Sequence, residues 1–288
     1  MLKTIDSRQF DKNTPCVVLL GGFDGLHIGH RSLLEKAKTY GLPVGVMTIE
    51  GGKSTKNLFT TKEKEYIFRK AGADFFFSLP FSEIQSLSPE DFLSYLKGLL
   101  NPLAFVCGED FRFGAGAAGS AKNVEEYSKI PTHIGTLLEI DGKKISSTTV
   151  KESLQAGDTK SASGLLGEPF FLIGEVIHDR KIGRTIGFPT ANIVYPEEKF
   201  SIKKGVYATR VEVDGQYLNG ITNYGSRPTF DNERVLTETY LIGFSGDLYG
   251  KELKIEFMRY LRENRKFDSV EELKLQLTTD VRRVIDND

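Results

Sequence analysis

Tryptophan is absent from this chain of 288 residues, cysteine occurs twice, methionine three times and histidine four times. The two cysteines sit in apolar strand-like runs, Cys16 in CVVLL and Cys107 in AFVC, so they read as buried thiols rather than as a disulfide or a metal site. Charge of one sign is lacking too, since 38 Lys+Arg balance 39 Asp+Glu. A protein that neutralises a polyphosphate backbone carries a basic excess, so nucleic acid is not expected as the main ligand. No apolar run approaches bilayer length, and Lys3, Asp6, Arg8, Asp11 and Lys12 interrupt any signal-peptide core. The expectation is a cytoplasmic protein without a membrane partner. With 39% hydrophobic and 11% aromatic residues, the chain has the material for packed cores and is not disordered as a whole. Its length suits about two domains.

From Pro15 to about Ile140, short apolar runs alternate with helical patterns. CVVLLGG leads to a helix over 29–40 with Leu33, Leu34, Ala37 and Tyr40 on one stripe, then PVGVMTI, a helix over 61–71, ADFFFSL, a helix over 88–100, LAFVCG and THIGTLL. Ser88-Pro89-Glu90-Asp91 is a helix start, with a capping serine, proline in the first turn and acids at the positive end of the dipole. This alternation predicts a parallel sheet covered on both faces, with ligands beyond the carboxyl ends of its strands. Past Gly164 the style changes to FFLIGEVI, GVYATRVEV, QYLNGITN, RVLTETYLIG and KELKIEFMRYL, with Asp214-Gly215 as a hairpin turn. These predict an antiparallel barrel or sandwich. A helix over 268–285 follows, striped by Val270, Leu273, Leu277, Val281, Val284 and Ile285. The boundary falls near Leu166–Pro169, giving domains 1–167 and 168–288.

The stretch Gly21-Gly22-Phe23-Asp24-Gly25-Leu26-His27-Ile28-Gly29-His30 lies between the first strand and the first helix and holds half of the histidines. Glycines let backbone approach a ligand, a helix N-terminus attracts anions, and two histidines three apart can both donate to phosphate oxygens. Such a site suits nucleotidyl transfer; the alternative is an ordinary turn with two exposed histidines. In the second half, Gly183-Arg184-Thr185-Ile186-Gly187-Phe188-Pro189-Thr190-Ala191-Asn192 offers a hydroxyl and an amide carbonyl. Hard Mg²⁺ favours oxygen ligands and substrate phosphates, so Thr190 and Asn192 could hold it. Glu238 shares a strand face with Leu236, Tyr240 and Ile242, where desolvation would raise its pKa and suit it to accept a proton, unless that face is solvated. Arg259, Arg262 and Arg265 either bind a phosphate or ring or form a solvated face. GGKST at 51–55 lacks the first glycine of a P-loop, its place being held by Met47.

His27-Ile28-Gly29-His30 matches the HxGH signature of nucleotidyltransferases. Together with Gly108-Glu109-Asp110-Phe111-Arg112-Phe113-Gly114 and Ile145-Ser146-Ser147-Thr148 leading to Lys151, it resembles the adenylyltransferase module of bacterial bifunctional riboflavin kinase/FAD synthetases. Gly187-Phe188-Pro189-Thr190-Ala191-Asn192 resembles the G-x-P-T-A-N motif of riboflavin kinases, and the likeness continues through Gly205–Ala208, Asn223–Thr229 and Asp247–Lys251. The resemblance implies a Rossmann-like nucleotidyltransferase domain followed by a β-barrel kinase domain with a C-terminal helix. It implies that riboflavin is phosphorylated by Mg–ATP in the second domain and FMN adenylylated by ATP to FAD in the first.

The same resemblance implies that Gly22, Phe23, Asp24, Gly25, His27, Gly29, His30 and Asp110 serve the first nucleotide, while Ser147, Thr148 and Lys151 hold the pyrophosphate. Gly183, Thr185, Gly187, Pro189, Thr190 and Asn192 would serve Mg–ATP and Glu238 would be the catalytic base; Arg259 and Arg262 are candidates for the flavin phosphate on the residues alone. Two departures stand out: the family's T-F-x-P-H-P reads Thr48-Ile49-Glu50-Gly51-Gly52-Lys53 here, and Lys151 replaces an arginine. Other readings left open are a first domain that is degenerate or adenylylates another phosphate, and a flavin- or nucleotide-sensing module.

Overall fold

The computed structural model describes residues 3–4, 11, 13–51, 56–136, 139–140, 143–178, 187–228 and 233–286. The chain divides into two compact units, Met1–Thr149 and Val150–Asp288.

The first unit is built on six strands: β1 (Lys3–Thr4), β2 (Pro15–Leu20), β3 (Val44–Glu50), β4 (Phe75–Pro80), β5 (Asn101–Gly108) and β6 (Thr132–Gly135). Their order is β1-β4-β3-β2-β5-β6 and every pairing is parallel. All of Cys16–Leu20 is buried, as a strand must be when helices cover both faces. The covering helices include α1 (Ile28–Lys38), α2 (Thr61–Lys70) and α3 (Pro89–Leu99). On one face Phe92, Leu93 and Leu96 of α3 pack with Val18, Leu20, Met47 and Phe77. Ser88 caps α3 by accepting the Asp91 N–H at 3.1 Å, as its sequence predicts. Tyr40 departs from the predicted stripe: α1 ends at Lys38, the chain turns at Gly41 with φ +66°, and the tyrosine is left 39% exposed. Successive strands run to one side from β2 and then resume on its other side with β5, so the switch point of the sheet lies between the carboxyl ends of β2 and β5.

The second unit opens with helices, α4 (Ser147–Ala156, which straddles the division) and α5 (Thr159–Leu166). Its strands are β7 (Phe171–Glu175), β8 (Thr190–Val194), β9 (Gly205–Val213), β10 (Gln216–Pro228), β11 (Glu233–Leu241) and β12 (Glu252–Arg262), in the antiparallel order β7-β12-β9-β10-β11-β8. A bridge from Ile177 to Asn192 brings the two ends together, so the sheet is a nearly closed barrel rather than a sandwich. Asp214 and Gly215 turn the β9–β10 hairpin with φ of +50° and +81°, the left-handed pair that a two-residue turn of this hand requires. The two divisions of the chain differ for a physical reason. Strand style changes near 167, but the Thr159 hydroxyl donates to the Met258 carbonyl at 2.8 Å and Leu154 accepts from the Lys203 N–H at 3.1 Å, so α4 and α5 pack with the barrel.

Side chains alternate across the barrel wall. Tyr207, Thr209, Val211, Thr222, Thr239, Ile255 and Phe257, all at or near zero exposure, point inward, with Thr222 hydrogen-bonded to Thr209 at 2.9 Å and to Thr239 at 2.8 Å. Their neighbours point outward. The last helix, α6 (Val270–Ile285), covers part of that outer face, packing Val284 with Val206, Ala208 and Ile221. Val270 and Ile285 fall off the predicted apolar stripe, at 48% and 53% exposure. At the centre of the packed face is Asp280, fully buried and bridged to Arg262 at 2.8 Å.

Candidate active sites

The first site forms at the switch point. The loop leaving β2 runs through Gly21–Leu26 into α1, whose N-cap is His27. The His27 Nδ1 accepts the His30 backbone N–H at 3.3 Å, and the His30 Nδ1 donates to the Gly25 carbonyl at 2.7 Å. The two imidazoles stack with centroids 3.5 Å apart. Gly29 leaves room for this stack, since a Cβ there would lie 3.2 Å from the His27 ring, a tight contact. Phe23 is buried, and its ring packs edge-on against His30 and Phe68, so it backs the histidine rather than opening to solvent. Gly22 is exposed, with open space where a Cβ would stand. Asp24 accepts the Leu58 N–H at 2.6 Å and Thr48 donates to the Gly22 carbonyl at 3.4 Å, so residues far along the chain hold the loop in place. Burial, then the neighbouring His27, push the His30 pKa down to about 3, while its bond to Gly25 and the charge of Asp110 oppose them. Asp110 follows β5, the other strand of the switch point.

The remaining predicted residues of this site occupy a separate element. Ser146 caps α4 by accepting the Thr149 N–H at 3.3 Å, and Ser147 and Thr148 form the helix's first turn, Thr148 exposed. Lys151 belongs to the second unit, its ammonium 5.5 Å from the centroid of the Phe200 ring. In the altered stretch, which begins within β3, Glu50 at the strand's end accepts the Thr61 hydroxyl at 2.6 Å. Gly52 and Lys53 lie outside the described residues.

The second site lies on the outer face of the barrel. Register sets Asn192 of β8 and Asn223 of β10 on either side of Glu238 of β11, and Thr190 opposite Tyr240 one step along. Side chains of one row share a face, so Thr190, Asn192, Asn223 and Glu238 form a polar patch on the wall. The Asn223 amide donates to the Glu238 carboxylate at 3.2 Å. Glu238 is half-buried and shares its face with Leu236 and Tyr240, as the sequence predicts. Thr190 and Asn192 also line a cleft of about 280 Å³ with Pro189, Leu248 and Tyr249, near the lower end of the range for small-molecule pockets. His178 stacks on Tyr249 with centroids 3.8 Å apart. Gly187 has φ +85°, a conformation glycine adopts without strain, just before the Phe188-Pro189-Thr190 entry to β8. Gly183 and Thr185 lie outside the described residues.

The residues alone give no sign that Asn223 meets Glu238, because that meeting depends on the β10–β11 register. The arginines have partners the sequence does not reveal. Arg259 donates to the Arg283 carbonyl at the end of α6 at 2.7 Å. Arg262 donates to both carboxylate oxygens of Asp280, at 2.8 to 3.2 Å, and Gln276 adds a further bond to the same carboxylate. Arg265 pairs with Glu272 at 3.1 Å.

Among the described residues no three His, Cys, Asp or Glu side chains cluster as a metal cage. The hydroxyl and amide oxygens of Thr190 and Asn192 nevertheless suit a hard cation that takes most of its ligands from phosphate and water.

Two family models match the chain in succession: FAD synthetase over residues 9–149 and riboflavin kinase over residues 166–287. Bifunctional riboflavin kinase/FMN adenylyltransferases are similar over nearly the whole length. That of Bacillus subtilis is 36% identical, covering 96% of this chain and 93% of its own, and that of Haemophilus influenzae is 34% identical, covering 92% of each. A crystal structure of a Streptococcus pneumoniae protein named as a macrolide-efflux protein superposes with a TM-score of 0.84 at 30% identity, covering 96% of this chain and 95% of that one. Efflux belongs to that protein's name; among the described residues here, no helix is long and apolar enough to cross a membrane. With both models matched in order and such relatives aligned end to end, the chain belongs to the family of bifunctional riboflavin kinase/FMN adenylyltransferases, enzymes that phosphorylate riboflavin and adenylylate FMN.

Proposed function

We propose that the two activities divide between the two halves, adenylyl transfer in residues 1–167 and phosphorylation of riboflavin in 168–288, with Glu238 as the proton acceptor of the kinase. The observation that carries this reading is the row Asn192–Glu238–Asn223 across three strands. An alcohol is a poor nucleophile until its proton has somewhere to go, and a half-buried carboxylate oriented by Asn223 can receive it. Mg²⁺ bound with ATP would be held by Thr190 and Asn192, supplying charge neutralisation on the transferred phosphoryl group. The adjoining cleft, walled by Pro189, Leu248 and Tyr249, suits the nucleotide. Gly187 supports the same reading, and the motif likeness extends it to Gly183 and Thr185.

In the first half the attacking group is an FMN phosphate, already anionic, so positioning and charge neutralisation suffice. His27 and His30 contact the ATP phosphates, and Gly22, Gly25 and Gly29 keep the loop open to them. Asp24 acts through its bond to Leu58, and Phe23 by backing His30. Asp110 completes the carboxyl-end rim. Ser147 and Thr148 at the α4 start, with Lys151, hold the leaving pyrophosphate. Arg259 and Arg262 serve the flavin site by fastening α6 to β12.

The test follows FMN and FAD with time in mixtures of protein, riboflavin, ATP and Mg²⁺. Glu238→Gln should stop FMN formation and leave added FMN converting to FAD. Loss of both conversions in that variant would sink the division.

A further inference from the structure

The two histidines of the first site carry their protons differently. A carbonyl can only accept, so the His30 Nδ1, 2.7 Å from the Gly25 oxygen, bears a proton. A neutral His30 therefore has a bare Nε2. His27 is the opposite case: its Nδ1 accepts the His30 backbone N–H, so its proton sits on Nε2. At rest the pair offers a phosphate one donor and one acceptor, although phosphate oxygens need donors.

His30 cannot repair this by shifting its proton from Nδ1 to Nε2. That would set a lone pair against the Gly25 oxygen at 2.7 Å. Gaining a second proton instead keeps the Gly25 bond and turns Nε2 into a donor. His27, stacked at 3.5 Å, must then stay neutral, because two cations at that separation repel strongly.

Resting on the reading of Gly21–His30 as the phosphate loop, we propose that binding of a nucleoside triphosphate at the first site captures one proton from solvent on His30 Nε2, with Asp110 as the countercharge and His27 as a neutral donor. The ionisable groups acting on His30 are His27 from the start of α1 and Asp110 from the end of β5; Phe23 covers its edge. The depressed pKa of the free protein, about 3, agrees with a ring that is neutral until a ligand arrives. The proton is bound only in the complex. Affinity therefore falls up to tenfold per pH unit between the pKa of the free ring and the pKa of His30 in the complex, and is level above the latter.

The chain has only four histidines, His27, His30, His133 and His178, so ¹⁵N-histidine labelling of the full chain resolves each ring. At pH 7.5 the free protein should show Nε2–H at His27 and Nδ1–H at His30. Saturation with α,β-methylene-ATP should leave His30 protonated on both nitrogens and His27 with a bare Nδ1. Asp110→Asn should weaken binding by about tenfold at that pH and flatten its pH dependence. If the backbone amides of His27 and His30 shift with ligand while His30 Nε2 stays bare, or the ring flips to Nε2–H alone, the proton capture is overturned. If those amides do not move while His178 beside the second cleft responds, the phosphate-loop reading itself has failed, and the proposal with it.

Discussion

The two candidate sites are built by different means from the same composition. In the first unit, backbone does most of the work: a parallel sheet reverses its winding between β2 and β5, and whatever follows those strands meets at their carboxyl ends. His27 caps a helix there, and Gly25 holds His30 through its carbonyl. In the second unit, the site is on the wall of a barrel, mid-strand, and is made of side chains that alternate outward at β8, β10 and β11. On the assignment of activities proposed above, chemistry explains the contrast. An anionic phosphate nucleophile asks for donors and positive potential, which loops and helix ends provide, whereas an alcohol asks for a base, which only a side chain provides.

The sharpest way to break this comparison is to remove donors from the first site alone. Replacing both His27 and His30 by asparagine should lower FMN adenylylation on the order of 10³-fold and leave riboflavin phosphorylation within about twofold, measured in separate assays of the two half-reactions. Equal losses in both assays would mean the sites are not independent.

Next in size is the fastening of α6. Asp280→Ala strands Arg262 beside a fully apolar replacement and should cost about 3 kcal/mol of stability in chemical denaturation, with Asp280→Asn costing less. A loss below about 1 kcal/mol would show that the helix is held by Val284 and its neighbours instead.

A smaller effect should separate the sites by cation. Thr190→Ala removes one of two oxygen donors and should raise the Mg²⁺ needed for half-maximal kinase rate on the order of 10-fold, without moving the Mg²⁺ dependence of FAD formation. Equal shifts in both would count against a role for Thr190 peculiar to the kinase.

The smallest expected effect is none at all. Cys16 and Cys107 are fully buried, and burial pushes both thiols up to about 12, so neither is ionised or accessible at neutral pH. Native protein should not react with a thiol-specific chromogenic disulfide at pH 7.5, while denatured protein should titrate two thiols.

Much of this was legible in the residues because it rests on contacts close in sequence. Ser88 caps the helix it precedes, Asp214-Gly215 turns the hairpin between the strands it joins, and GGFDGLHIGH lies between a strand and a helix where the pattern puts it. The strand Thr190–Val194 had no such mark. TANIV is short, and it becomes a strand only by pairing with β11. On periodicity Tyr40 and Ile285 read as core, but Tyr40 lies past the end of α1 and Ile285 is the last residue of α6, and both are exposed. Asp280 was hidden for the opposite reason: a carboxylate in a helix reads as surface until an arginine from another element neutralises it.

By itself the sequence determined the alternation of elements, the motif order and the kinds of chemistry available, since propensity, capping and glycine freedom act over a few residues. Tertiary structure alone decided that Asn223 orients Glu238, that Arg262 is committed to Asp280, and that the Leu58 N–H, far along the chain, steadies Asp24. Strand register and helix docking arise from the packing of distant segments, and a single residue of slip would turn Glu238 from the outer face of the barrel to its threonine-lined interior.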